Sequence, residues 1–348
     1  MLLHGILPPI TTPFYPEGSV YFKKLEHNVE RYSKTPVAGI VVLGSTGESI
    51  LLSDQERRDV FKCARDHAAP NKVLVAGAGI ESAIETLHLT EYAASLGYDA
   101  AMVRTPHYYK RQMQPANLLA FYRTVADHSP LPVIIYNFPQ ATGYDIPAEV
   151  VIELAQHPNL IGIKESAGVI EKVKKMVDGT RHVQRTVTVT EVFNAVTPRM
   201  LAAAAGSGNG SDVVPTSSLG GAAVATPPRL KTRSKEVGYQ VLVGSAHLLK
   251  ESLDVGAVGA ILAFACAAPT ACYEIYAAWK EGDMALAHEK QQRIVEASLK
   301  VGGELGVPGI KYAMDLNGYY GGPSRLPFLP LSAEQKSEVE RQMADIRN

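Results

Sequence analysis

The chain is short of cysteine, of net charge and of long apolar runs, and each shortage removes a class of protein. Its cysteines are Cys63, Cys266 and Cys272. None forms a C-x-x-C pair, so neither a disulfide framework nor a cysteine zinc site is expected. So low a count fits a reducing compartment. The 10 histidines show no H-E-x-x-H or other ligand spacing, so no metal site is expected. A formal net charge of −1 gives no general attraction to nucleic acid or to an anionic membrane. The longest apolar run, Val255 to Pro269, is too short to span a bilayer. The opening MLLHGILPPITTPF lacks a basic n-region and is broken by prolines. No signal peptide is therefore read, and a cytoplasmic location is the expectation.

What is present is a repeat of buried strand and amphipathic helix in a chain of 348 residues. Strands are expected at Gly5–Ile10, Ala38–Leu43, Val73–Gly77, Ala100–Arg104, Pro132–Tyr136, Ile161–Lys164, Gln240–Val243 and Val258–Ala263. Their apolar residues are continuous rather than alternating, as in strands buried on both faces of a parallel sheet. Helical patterns lie between them. Phe22–Ser33 follows a Pro16-Glu17-Gly18 turn, and Ser53 with Glu56 makes a capping box. Ile84, Leu87, Thr90, Ala94 and Leu96 outline one face of the next helix. Asn117–Asp127, Pro147–Gln156 and Val169–Val177 complete the set, with Pro147 suited to a first turn. Strand then helix about eight times, at roughly 30-residue spacing, fits βα units. An open doubly wound sheet also fits, but eight strands favour an α/β (β/α)8 TIM barrel. The expected organisation is a barrel over 1–268 and a C-terminal helical region over 269–348. The latter comprises Thr270–Glu281, Met284–Lys300, Pro308–Asn317 and Ala333–Ile346. The stretch 182–238 breaks the rhythm with Thr, Ala, Gly, Ser and Pro clusters and reads as a solvated insertion. Arg229, Lys231, Arg233 and Lys235 make part of it basic, and Thr190–Ala205 has helical periodicity.

Four loops after strands carry the candidate chemistry. Lys164 ends the run Leu160-Ile-Gly-Ile-Lys164, at the carboxyl end of a buried strand, which in barrels is the active-site face. A buried lysine is costly to keep charged, and the neutral amine is a nucleophile toward ketones. A lysine snorkelling to solvent would look the same in isolation. Tyr136, in Tyr136-Asn137-Phe138-Pro139, ends another strand and could shuttle protons; the plainer reading is a barrel-lining aromatic. Gly44-Ser45-Thr46-Gly47-Glu48 offers hydroxyls and backbone N–H groups in a turn suited to a carboxylate. Thr105-Pro106-His107-Tyr108-Tyr109 is a fourth loop. Their coincidence on one face carries the argument. The turn Gly77-Ala-Gly79, with Asp99 about twenty residues on, imitates a dinucleotide site. It follows the third strand rather than the first and lacks the third glycine, so it reads as a barrel turn.

Gly44-Ser45-Thr46-Gly47-Glu48, Tyr136-Asn-x-Pro with Thr142-Gly143, and Gly162-Ile-Lys164-Glu-Ser166 together resemble the dihydrodipicolinate synthase / N-acetylneuraminate lyase family, from about Leu7 to Ile346 apart from the insertion. The resemblance implies a barrel with a helical C-terminal region, Schiff-base chemistry with pyruvate, no cofactor or metal, and a homotetramer. It implies that Lys164 forms the imine, Tyr136 shuttles protons, and Ser45 relays them. Thr46 with Ser45 would hold the 2-oxo acid carboxylate, and Ser166 and Ile261 would line the pocket. Tyr108, or else Tyr109, would reach a neighbouring subunit's site. Dihydrodipicolinate synthases have an arginine where this chain has Ala141. Asp99-Ala-Ala-Met-Val103, His157-Pro-Asn-Leu-Ile161, Tyr239-Gln-Val-Leu-Val-Gly-Ser245 and Gly318-Tyr-Tyr-Gly-Gly-Pro323 are most similar to the 4-hydroxy-2-oxoglutarate aldolase branch.

The expected function is therefore a class I aldolase that cleaves 4-hydroxy-2-oxoglutarate or a related 2-oxo acid to pyruvate and an aldehyde. The alternatives are a dihydrodipicolinate synthase, which condenses pyruvate with aspartate semialdehyde, a nicotinamide-dependent oxidoreductase built on the glycine turn, and a non-catalytic 2-oxo acid binding protein.

Overall fold

The computed structural model describes residues 1–206 and 230–346. Arg229 and the central part of the insertion lie outside the described residues. Ten strands are described: β1 Gly5–Ile6, β2 Gly39–Val42, β3 Val73–Gly77, β4 Ala100–Arg104, β5 Val133–Asn137, β6 Leu160–Glu165, β7 Arg185–Thr190, β8 Thr232–Val237, β9 Gln240–Val243 and β10 Gly259–Ala260. Eight of them form one parallel sheet in the order β1-β10-β9-β6-β5-β4-β3-β2. Ala38 N donates to Ile6 O at 2.9 Å, Val41 N to Pro8 O at 3.0 Å and Ile10 N to Val41 O at 2.9 Å. These bonds bring the two edges together and leave a (β/α)8 barrel. β1 is shorter than the expected Gly5–Ile10 because Pro8 and Pro9 have no N–H for the ladder. β10 is shorter than Val258–Ala263 because the chain turns into a single helical turn at Ala263–Cys266.

Two layers of buried side chains divide the barrel. Val41, Val75, Ala100, Met102, Ile134, Tyr136, Leu242 and Ile261 fill its interior. The alternate residues, such as Ile40, Leu74, Val103, Ile135 and Val243, pack outward against the helices. This is the period-2 geometry of a strand buried on both faces. β6 departs from it. Ile161 faces the interior and Ile163 the outer layer, which strict alternation forbids. The register shifts between Val133 and Ile134, where Leu160 pairs with Val133 and Gly162 with Ile134. That irregularity resets the facing of the strand and turns Lys164 inward.

The outer helices begin and end close to expectation. Phe22–Ser33 is helical over the expected span. Ser53 and Glu56 form the expected capping box. In the helix Ala83–Ser95 the buried face is Thr86, Leu89, Thr90 and Ala93, and Ile84, expected inside, is exposed. Helix Pro269–Glu281 packs on β1. Beyond it, Ile294, Val301, Ile310, Met314 and Val339 share one buried cluster with the barrel shell. The C-terminal region thus has no separate core. Its expected helix Met284–Lys300 ends at Ala297 and continues as wider π-type turns over Ser298–Glu304.

The described part of the insertion is more ordered than its composition implied. β7 and β8 pair antiparallel from Arg185↔Val237 to Thr190↔Thr232. Val187, Val189 and Val237 pack on Leu2, and helix Pro198–Gly206 follows. Arg185 donates to Ala155 O, His157 O and Leu160 O at 2.8, 2.9 and 3.1 Å. Thr197 donates to Pro70 O at 2.6 Å. These acceptors lie at or before the starts of β3 and β6, so the described part of the insertion covers the amino end of the barrel.

Candidate active site

The opposite, carboxyl end holds a cavity of about 500 Å³. Its wall includes Ser45, Thr46, Tyr136, Lys164 and Ser166, residues singled out from three sequence motifs. β4, β5 and β6 place their ends in one lateral row, since Arg104 pairs with Tyr136 and Tyr136 with Lys164. Lys164 is 4% exposed, and its Nζ stands 4.1 Å from the centre of the Tyr136 ring. The Tyr136 hydroxyl lies 3.2 Å from Ser45 Oγ. The amine thus lies over the ring whose hydroxyl is within hydrogen-bond reach of Ser45, the contact through which a proton could pass.

The turn after β2 is shaped by its own backbone. Ser45–Gly47 form one helical turn, closed by Gly47 N to Gly44 O and Glu48 N to Ser45 O, both 3.0 Å. The first N–H groups of such a turn have no acceptor within it. Glu48 adopts a left-handed φ of 55°, which swings its carboxylate away from the turn and into a buried ion pair with Lys311 at 2.5 Å. Lys311 Nζ also donates to Thr12 O and Pro323 O at 2.9 and 2.8 Å. Burial lowers the Lys311 pKa, against the pull of Glu48. The glutamate of this motif thus anchors the turn to the C-terminal helices.

Glu165, between Lys164 and Ser166, points out of the barrel. It accepts from Asn137 Nδ2 at 2.9 and 3.0 Å and from Ala167 N at 2.6 Å, and pairs with Lys172 at 3.1 Å. Burial raises its pKa, and Lys172 opposes the shift. Ser166 Oγ is part of the cavity wall and has no hydrogen-bond partner among the described residues. Gly244 is required beside it, because a Cβ there would fall 1.9 Å from Ser166 Oγ.

Two expected residues lie elsewhere. Ile261 is fully buried in the interior cluster and does not belong to the cavity wall. Tyr108 is 76% exposed, stacks edge-on with Tyr109 and does not line the cavity of its own chain. The loop that carries them is held by Glu81, which accepts from His107 N at 2.9 Å and Tyr108 N at 3.1 Å and pairs with the His107 ring at 2.6 Å.

Sequence reasoning passed over Arg104. It follows Ala100 and Met102 on the interior face of β4, so alternation aims it into the barrel mouth. The argument that selected Lys164 applied to it equally. The glycine turn gains its meaning here: a Cβ on Gly79 would lie 2.3 Å from Arg104 N and 3.1 Å from its Cγ. Among the described residues, Glu26, Cys63 and His67 could bring three metal-ligating atoms within 4.8 Å of one another. They sit on the outer helices Phe22–Ser33 and Asp54–His67 and line no part of the cavity.

Known proteins share both the fold and the sequence. The Dihydrodipicolinate synthetase family profile matches residues 2–213 and 227–346, so the unmatched stretch is shorter than the expected insertion. The 4-hydroxy-tetrahydrodipicolinate synthase of Methanothrix thermoacetophila is 28% identical over 338 residues, covering 97% of this chain and 95% of that protein. The enzyme of the same name from Xanthomonas campestris pv. campestris is 39% identical over 177 residues, covering 51% and 58%. Among solved structures, the prophage protein YagE from E. coli K12 in complex with pyruvate has a TM-score of 0.78 at 26% identity, covering 99% of each chain. The dihydrodipicolinate synthase of Acinetobacter baumannii, complexed with pyruvate, has a TM-score of 0.77 at 25% identity, again covering 99% of each chain. Fold and relatives define a barrel enzyme of the carbon–carbon lyase class, an aldolase. The chain belongs to the dihydrodipicolinate synthetase family. No described helix is long and apolar enough to cross a membrane.

Proposed function

We propose that the chain is a class I aldolase that cleaves 4-hydroxy-2-oxoglutarate, or a closely related 2-oxo acid, through a Schiff base on Lys164. The observation that carries this reading is the line Lys164, Tyr136, Ser45 along one cavity wall. The Lys164 amine adds to the C2 ketone, the Tyr136 phenol gives its proton to the departing hydroxyl so that water leaves, and the resulting iminium ion acts as an electron sink beside the Tyr136 phenolate. Tyr136, through Ser45, takes the proton of the C4 hydroxyl. The C3–C4 bond breaks, its electron pair moves into the enamine, and the aldehyde departs. Tyr136 returns a proton to C3, and water hydrolyses the imine to release pyruvate and free Lys164. Thr46 and the Ser45–Thr46 turn hold the C1 carboxylate, and Ser166 lines the pocket beside it.

A second reading, condensation of pyruvate with aspartate semialdehyde, is favoured by the names of the curated relatives. Ala141 in the cavity wall argues against it. Turnover of aspartate semialdehyde in preference to glyoxylate would reverse this order. The homotetramer belongs to the same proposal, supported by the exposed Tyr108 and Tyr109 rings, and so does a cytoplasmic location. The catalytic step is tested by borohydride reduction with pyruvate: a reduced adduct on the wild type and none on Lys164→Ala is the expected result.

A further inference from the structure

Among the described residues, Arg104 is a cation without a counter-ion at the mouth of the barrel. It closes β4 on the interior face, in register with Tyr136, and lines the same cavity as Lys164. Its Nε is buried and has no hydrogen-bond partner among the described residues. Among the described residues no carboxylate pairs with its guanidinium. Glu81, the acid that acts on it electrostatically, is already occupied by His107 and by two backbone N–H groups. A guanidinium remains charged at any working pH, and its planar fork matches a carboxylate in a bidentate pair. An unsatisfied, half-buried arginine is costly, and here the space in front of it is the substrate cavity.

The spacing fits one class of ligand. Neighbouring strands lie about 5 Å apart, so β4 and β6 stand roughly 10 Å from each other with Tyr136 between them. Lys164 Nζ lies over the ring of Tyr136 on that middle strand, and Arg104, whose Cγ lies beside Gly79, lines the same cavity. A 2-oxo acid whose ketone sits on Lys164 and whose second carboxylate lies three carbons further on would present that carboxylate to the cavity that Arg104 lines.

We propose that Arg104 is the specificity residue for the aldehyde half of the substrate, binding the distal carboxylate of a dicarboxylic 2-oxo acid. This rests on the Schiff-base reading for the orientation of the ligand, though the recognition itself is testable without turnover. Arg104 would supply from β4 the cation that Ala141 does not supply from the loop after β5.

The test compares two ligands that differ by that carboxylate, 2-oxoglutarate and 2-oxopentanoate, on the wild type, Arg104→Gln and Arg104→Lys. Affinity is read by calorimetry, and the covalent step separately by borohydride trapping. The wild type is expected to prefer 2-oxoglutarate. Arg104→Gln should weaken 2-oxoglutarate by about 10- to 100-fold, the range of a charge-assisted pair, and 2-oxopentanoate by no more than about 3-fold. Arg104→Lys should recover part of the difference, since it keeps the charge and loses the fork. Equal losses for both ligands, no loss for either, or a wild type without the preference would overturn the proposal. Trapping on Lys164 without discrimination by Arg104 would remove this inference and leave the Schiff base standing. Discrimination without trapping would do the reverse.

Discussion

The two ends of the barrel use the same side-chain types in opposite ways. At the amino end, Arg185 donates to three main-chain carbonyls, and Lys72 donates to Thr35 O at 2.6 Å and Val37 O at 2.8 Å. Arg199 donates to Lys72 O and pairs with Asp99 at 3.5 Å. Each cation there closes loops that would otherwise expose unpaired carbonyls. At the carboxyl end, Lys164, Arg104 and Ser166 line open space. A buried polar group already matched by its own chain holds the fold together; one aimed into a cavity awaits a ligand. Burial alone does not separate the two, because Lys311 is as buried as any residue near the site and its partner Glu48 makes it structural.

Substitutions at the two ends should separate activity from stability. The largest effect is expected for Tyr136→Phe, which removes the hydroxyl that contacts Ser45. A loss of about 10²- to 10⁴-fold in kcat is expected, with the melting temperature nearly unchanged; a kcat near wild type would remove Tyr136 from the proton path. Lys311→Met leaves the Glu48 carboxylate buried and unpaired. It should cost about 3–5 kcal/mol of stability, read by denaturant unfolding, and an unchanged midpoint would show that the pair is dispensable.

At the amino end the expected signature is a pH dependence. Burial raises the Asp99 pKa from 3.8 to about 6, against the pull of Leu74 N–H and Arg199. The folded chain therefore holds this proton at pH values where the unfolded chain has lost it. Stability should fall as pH rises between about 4 and 6, by roughly 3 kcal/mol from this group. Asp99→Asn should flatten that slope, and a slope identical to wild type would contradict the assignment. The smallest effect is expected for Val189→Ala in β7. Its side chain is fully buried, so the loss should be about 1–2 kcal/mol, with kcat within about 2-fold of wild type. A large loss of activity would mean that the amino end communicates with the site.

The same contrast explains what could be read from the sequence. Strands buried on both faces announce themselves, and β3, β4 and β9 begin and end where expected. Lys164 and Tyr136 were visible because each ends such a run. Arg104 ends one too, but it was read only as a boundary. The hairpin arms went unread because Arg185-Thr-Val-Thr-Val-Thr190, a period-2 pattern, lies beside Ala- and Gly-rich segments whose composition dominated the reading. Its position was legible all the same: a segment between a helix and the next strand must emerge at the amino end. The inward turn of Lys164 depends on the irregularity in β6, which no local pattern marks. The pairing of Glu48 with Lys311 joins residues 263 positions apart and has no local signal.

The central claim is that the cavity works through an imine on Lys164. Intact-mass measurement after pyruvate and borohydride, on the wild type and on Lys164→Ala, tests it most directly. A mass increase of one reduced pyruvate on the wild type, absent from a folded Lys164→Ala, is the predicted result. An unmodified wild type that remains folded, or an adduct that persists without Lys164, would contradict it.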